Sequence, residues 1–102
     1  MLKTLLTLAL CAASSLSMAA DLGAMHEKFG VKAEPADAEC LACHGGTYAK
    51  LAESTRNLTP NPHDSHMADV QCNACHRWKG ASRLMCNDCH SFPELQKRLE
   101  TR

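Results

Sequence analysis

Cys40-Leu41-Ala42-Cys43-His44, Cys72-Asn73-Ala74-Cys75-His76 and Cys86-Asn87-Asp88-Cys89-His90 are three copies of one pentapeptide. Cys-x-x-Cys-His is the pattern of a c-type haem attachment site. The spacing has a mechanical reason. Two thiols three residues apart lie on one side of a helical turn, where each can form a thioether to one vinyl group of the same haem. The His that follows can then turn its imidazole onto the iron as proximal ligand. These copies take every cysteine of the chain except Cys11. Two other uses of the thiols stand beside this one. Cys72, Cys75, Cys86 and Cys89 have the pair-then-pair layout of a zinc ribbon, with a slightly short gap. An oxidising compartment would also permit disulfides. A ribbon does not need a His after each second Cys, and here all three pairs have one, so haem attachment explains more of the pattern.

The first residues read as a targeting segment. Met1 to Lys3 form a short positive region, Leu5 to Ala13 an apolar one, and Ser17-Met18-Ala19 places small residues where a signal peptidase reads. The expectation is a signal peptide over 1–19, cleaved after Ala19 or Ala20, followed by one domain over 20–102. Cys11 would leave with the signal, and Leu10 before it is larger than the residue that precedes a lipidated Cys. Export agrees with the pentapeptides, because haem is joined to them on the outer side of the bacterial inner membrane. The expected location is the periplasm, and no later stretch is apolar enough for a transmembrane segment.

A mature chain of about eighty residues buries little surface and needs added staples or bulk. Phe29, Tyr48, Trp78 and Phe92 are the only aromatics. Three covalently bound haem c groups would supply the missing apolar volume. The expected fold class is therefore mostly α and irregular: a small multihaem cytochrome c whose short helices wrap around a haem core. The formal net charge is zero, which points to no nucleic acid partner. Loss of Lys3 and the addition of propionates would tip the balance acidic, which suits a redox partner with a basic docking patch.

Along the chain, Leu22, Met25, His26 and Phe29 share one face of a short helix from Asp21 to Phe29, ended by Gly30. Val31 to Glu39 reads as a surface linker. Thr47 caps a helix to about Arg56, with Tyr48, Leu51 and Ala52 inward. Asn57 to Pro62 is rich in turn residues. His63-Asp64-Ser65-His66 then sets two His on one helical turn at diverging angles, suited to two neighbouring irons; a metal clip or a solvated polar turn are the alternatives. Ten residues between Cys75 and Cys86 force their two haems to be neighbours. Arg77, Lys79 and Arg83 in that connector either pair with propionates or form a solvated basic loop. Trp78 packs against a porphyrin edge in preference to acting as a relay. Ser91-x-x-Glu94 has the form of a capping box opening a last helix through Leu95 and Leu99.

A count ties these readings together. The chain has six His. His44, His76 and His90 belong to the pentapeptides, which leaves His26, His63 and His66 as candidate distal ligands for three irons. His26 on an apolar face is otherwise an ordinary half-buried His. Met25, Met67 and Met85 each adjoin a His or Cys of the site, so a bis-histidine set is the most economical. Met on iron raises the potential, and its absence keeps the haems low. Saturated irons leave no open position for oxygen or substrate, which argues for electron transfer over catalysis.

From Cys40 to Phe92 the chain resembles the tetrahaem cytochrome domain of bacterial flavocytochrome c fumarate reductases and of small tetrahaem cytochromes. The resemblance rests on the Cys40 pentapeptide with Gly45 after it, on Asn61-Pro62-His63-x-x-His66, on the closely spaced Cys72 and Cys86 pentapeptides, and on Ser91-Phe92. That family has a fourth haem motif ahead of the position of Cys40, where Val31 to Glu39 contains no cysteine. It also tends to carry a His shortly after the motif corresponding to Cys72, where this chain reads Arg77-Trp78-Lys79. A haem and a distal ligand are missing together. His26 matches an N-terminal ligand of the family in general position only.

The resemblance implies electron transfer from a membrane quinol dehydrogenase or other donor to a periplasmic acceptor. The chain would act as a free shuttle or as the haem subunit of a flavin-dependent reductase, since it ends at Arg102 without room for a flavin domain. On this reading it is an electron carrier and not an enzyme. The other two function classes are a haem enzyme subunit with one open iron reducing a small oxyanion, and a zinc-binding module.

Overall fold

The computed structural model describes residues 21–101. The expected signal peptide lies outside the described residues. Four short helices carry the regular structure: α1 (Leu22–Glu27), α2 (Asp37–Cys43), α3 (Tyr48–Ser54) and α4 (Pro93–Glu100). Single 3₁₀ turns at Cys72–Ala74 and Met85–Asp88 carry the second and third pentapeptides. No strand occurs among the described residues, so the chain is helical and irregular, as its composition implies. Among those residues no helix is long and apolar enough to cross a membrane.

The polypeptide packs little against itself. Leu84, at 4% exposure, is the one buried hydrophobic residue among those described. It is held at the backbone: Gln96 of α4 accepts from the Leu84 N–H at 2.7 Å and donates to the Ser82 carbonyl at 3.3 Å. With so thin a core, the helices keep their places through point contacts. Gly23 N–H donates to the Trp78 carbonyl at 2.9 Å, and Gly80 N–H donates to the Asp21 carboxylate at 2.9 Å. These two bonds clamp α1 to the 78–80 connector across more than fifty residues of sequence. Asp37 accepts from the Cys72 N–H at 3.2 Å and so ties α2 to the second pentapeptide.

Local signals explain most helix ends. Thr47 caps α3 as expected, its hydroxyl accepting from the Lys50 N–H at 3.2 Å. Gly30, at φ +82°, closes the turn after α1. Four expectations need correction. Phe29 lies beyond α1 and is 73% exposed, with the Lys28 ammonium 5.2 Å from its ring, so it is not on a buried face. Asp37, Ala38 and Glu39 form the first turn of α2 and not a linker. Ala36 offers no side-chain cap, and the Glu39 carboxylate compensates by accepting from the Ala36 N–H at 2.8 Å. His63 to His66 is a turn without helical geometry. Finally, α4 opens at Pro93, a favoured first helical residue, with Phe92 and not Ser91 at the cap. The Phe92 N–H donates to the Asn87 side-chain oxygen at 2.7 Å.

Candidate haem-binding site

The three pentapeptides sit side by side in chain order. Cys40 and Cys72 are neighbours, and the Cys72 thiol is pushed up to about 12 by burial first, then by a hydrogen bond and charge from Asp37. Cys75 Sγ accepts from the Met85 N–H at 3.2 Å, and the Cys75 carbonyl accepts from the Arg83 N–H at 2.9 Å. These bonds fold the connector back onto the second pentapeptide. Burial, followed by the neighbouring Cys75, raises the Cys86 thiol as well. All six pentapeptide thiols are free of disulfides.

Each pentapeptide His faces one of the other three. The ring centroids of His26 and His44 are 6.1 Å apart, those of His63 and His76 are 6.3 Å apart, and those of His66 and His90 are 6.2 Å apart. Two imidazoles bound at roughly 2 Å to opposite sides of one metal put their centroids about 6 Å apart. The residues present therefore fit a six-coordinate iron at each pair. Free thiols beside every pair fit the two thioethers of haem c. His63 and His66, three residues apart, face two different pentapeptides because the turn between them points their rings apart.

The elements that aim the three outlying imidazoles differ. His26 stands in the last turn of α1, and its Nδ1 lies 2.7 Å from the Leu22 carbonyl, which takes the Nδ1 proton and leaves Nε2 free. Trp78 lies against the same ring, centroids 5.4 Å apart. The indole thus packs on the His26 ring and on Gly23, contacts that its position in a basic connector did not reveal. His63 Nδ1 lies 3.0 Å from the Thr55 hydroxyl, and Tyr48 meets the His63 ring edge-on at 6.1 Å. Phe92 stacks on His90 at 5.4 Å.

The electrostatics of the His63 and His76 pair favour neutral imidazoles, the form that binds metal. Burial lowers the pKa of His63, and the nearby His76 lowers it further. His76 keeps an exposed edge, yet the surrounding protein lowers its pKa too, with His44 adding repulsion. Burial raises the Tyr48 hydroxyl, opposed in part by a hydrogen bond to the Val70 backbone. In the connector, Arg83 pairs with Asp88 inside the third pentapeptide, so this cation has a protein partner. Arg77 and Lys79 instead line an open cavity of about 520 Å³ with Lys32, Glu34 and Trp78.

All twelve Cys and His of this arrangement are legible in the sequence, which assigns no role to Thr55, Asn61 or Asp37. Asn61 had a usable signal in its place between two prolines, two residues ahead of a candidate ligand. Thr55 and Asp37 had none, because their partners are set by how the chain turns.

Known proteins share part of this sequence. A stretch of 56 residues is 43% identical to the probable fumarate reductase Ifc3 of Shewanella frigidimarina, covering 55% of this chain and 9% of that protein. A stretch of 62 residues is 36% identical to the cytochrome c-type protein Cgr1 of Eggerthella lenta, covering 59% of this chain and 29% of that one. The chain thus spans a minor part of both relatives. No solved structure matches it. The model of the cytochrome c3 family matches residues 19–91, which include all three pentapeptides and all six His. The chain belongs to the cytochrome c3 family, and is a small multihaem cytochrome c that carries electrons on covalently bound haem.

Proposed function

We propose that the chain holds three haem c groups in a row and serves as an electron wire that catalyses no reaction by itself. Cys40 and Cys43, Cys72 and Cys75, and Cys86 and Cys89 would form the thioethers. His44 with His26, His76 with His63, and His90 with His66 would be the axial ligand pairs. The observation that carries this reading is the one-to-one pairing of pentapeptide and outlying imidazoles at 6.1–6.3 Å.

When bound, haem supplies the one-electron couple of its iron. The chain's own part is to hold, orient and shield. Two imidazoles per iron would fill both axial positions and leave none for a substrate. Adjacent pentapeptides, with Cys40 beside Cys72 and Cys75 beside Cys86, keep successive sites close enough for transfer along the chain.

The N-terminal pattern of Met1 to Ala19 supports export to the periplasm. The likeness to part of a fumarate reductase supports a flavoprotein as one partner. A membrane quinol dehydrogenase is the donor class that suits a low-potential carrier. The chain would serve there as a free shuttle or as a reductase's haem subunit.

The test is production of the holoprotein in a host that matures c-type haem, followed by intact mass and optical spectroscopy. Three added haem masses, low-spin spectra and no binding of carbon monoxide or cyanide by the native protein are expected. Fewer haems would overturn the count, and ligand binding to a native iron would favour an open-site enzyme.

A further inference from the structure

We infer that Thr55 is a positioning residue for the second iron, setting the orientation and basicity of His63 through a hydrogen-bond chain anchored on Asn61. The inference rests on His63 being the distal partner of His76.

Four bonds converge here. The Asn61 side-chain NH₂ donates to the Ala52 carbonyl at 2.8 Å, near the end of α3. Its oxygen therefore faces the other way. That oxygen accepts from the Thr55 hydroxyl at 2.7 Å and from the His63 N–H at 3.1 Å. The Thr55 oxygen also lies 3.0 Å from His63 Nδ1.

Proton accounting leaves one consistent arrangement for a ligated His63. The Ala52 carbonyl can only accept, which fixes the Asn61 amide with its oxygen toward Thr55. The single Thr55 proton goes to Asn61 Oδ1, the shortest of its contacts; the Leu51 and Ala52 carbonyls are farther, at 3.4 and 3.3 Å. The hydroxyl oxygen is then free to accept, and Nδ1–H donates to it. Nε2 is left without a proton.

The consequences are mechanical and electronic. Main chain and ring of His63 are both tied to the Asn61–Thr55 unit, so the ring cannot turn freely about its bonds. Its plane lies 8° from that of His76. A partner on Nδ1–H also raises the basicity of the opposite nitrogen. A more basic ligand favours the ferric state and lowers the potential of that iron.

His26 provides the contrast. Its Nδ1 partner is the Leu22 main-chain carbonyl, which side-chain substitution cannot remove. Among the described residues His63 alone has a side chain as Nδ1 partner, so its tuning is open to mutation.

The experiment compares holoproteins of the parent, Thr55→Val, Thr55→Ser and His63→Met by redox titration and by electron paramagnetic resonance of the ferric state. Thr55→Val is expected to raise one midpoint potential, the same one that His63→Met moves, and to alter one low-spin signal. The other two potentials stay where they were, and Thr55→Ser restores the parent values. Should Thr55→Val not accumulate, Thr55→Ala removes the same hydroxyl and gives the same readout. Unchanged potentials and spectra in the Val or Ala protein overturn the inference, even if stability falls, because Thr55 would then be structural only. If His63→Met moves one potential and Thr55→Val moves none, the ligand reading stands and this inference alone falls. If His63→Met moves none, both fall.

Discussion

The imidazole planes of His63 and His76 are 8° apart, whereas the planes in the other two facing pairs cross at 59° and 62°. In a ferric iron between two imidazoles, parallel planes act on the same d orbital and split it from its neighbour. Crossed planes act on both and leave them nearly equal in energy. One rhombic low-spin signal and two of larger anisotropy are therefore expected from the oxidised holoprotein. Low-temperature electron paramagnetic resonance checks this; three alike signals would mean that the plane angles are not those of the ligated state.

His63 and His66 face different pentapeptide His, so they should act on different irons. Replacing either by Met should raise one midpoint potential, by on the order of a hundred millivolts within the ~0.8 V range that axial ligands command. Redox titration of His63→Met and His66→Met should show the rise at two different steps. The same step moving in both variants would contradict the pairing.

Gly23 has no room for a side chain. A Cβ there would stand 2.9 Å from Trp78 Nε1 and 3.1 Å from the Trp78 carbonyl oxygen. Gly23→Ala should therefore push α1 off the connector, at a cost of about 1–3 kcal/mol. Because α1 carries His26, a high-spin fraction at one iron should accompany the lower melting temperature. A fully low-spin Gly23→Ala protein of unchanged stability would show that the clamp does not hold His26.

Leu84 is the sole buried apolar side chain among those described, and it seats the third pentapeptide against α4. Leu84→Ala is expected to cost ~2–5 kcal/mol, the range for truncating a buried leucine. Thermal unfolding followed by circular dichroism should record the loss. An effect well under 1 kcal/mol would mean that the surroundings of Leu84 collapse readily around the smaller side chain.

Several features were legible because they are local. A pentapeptide needs no tertiary structure to present two thiols and an imidazole, and a helix cap needs only the residues beside it. Thr47 was readable for that reason. Ser91 misled because Pro93 shifts the helix start by one residue, while Asn87 takes up the Phe92 N–H. The start of α2 was hidden because Ala36 is no cap, and a carboxylate three residues on does the work instead.

The sequence by itself determined the cofactor class, the helical and irregular fold and the six imidazoles, since these follow from residue types at fixed short spacings. Only the tertiary structure decided which imidazole faces which, at what angle, and that Thr55 and Asn61 stand behind His63. Those relations depend on turns with no hydrophobic period to read, at Asn57 to Met67 above all. A path of that kind is set by many weak bonds between distant residues, so its endpoints cannot be inferred from spacing along the chain.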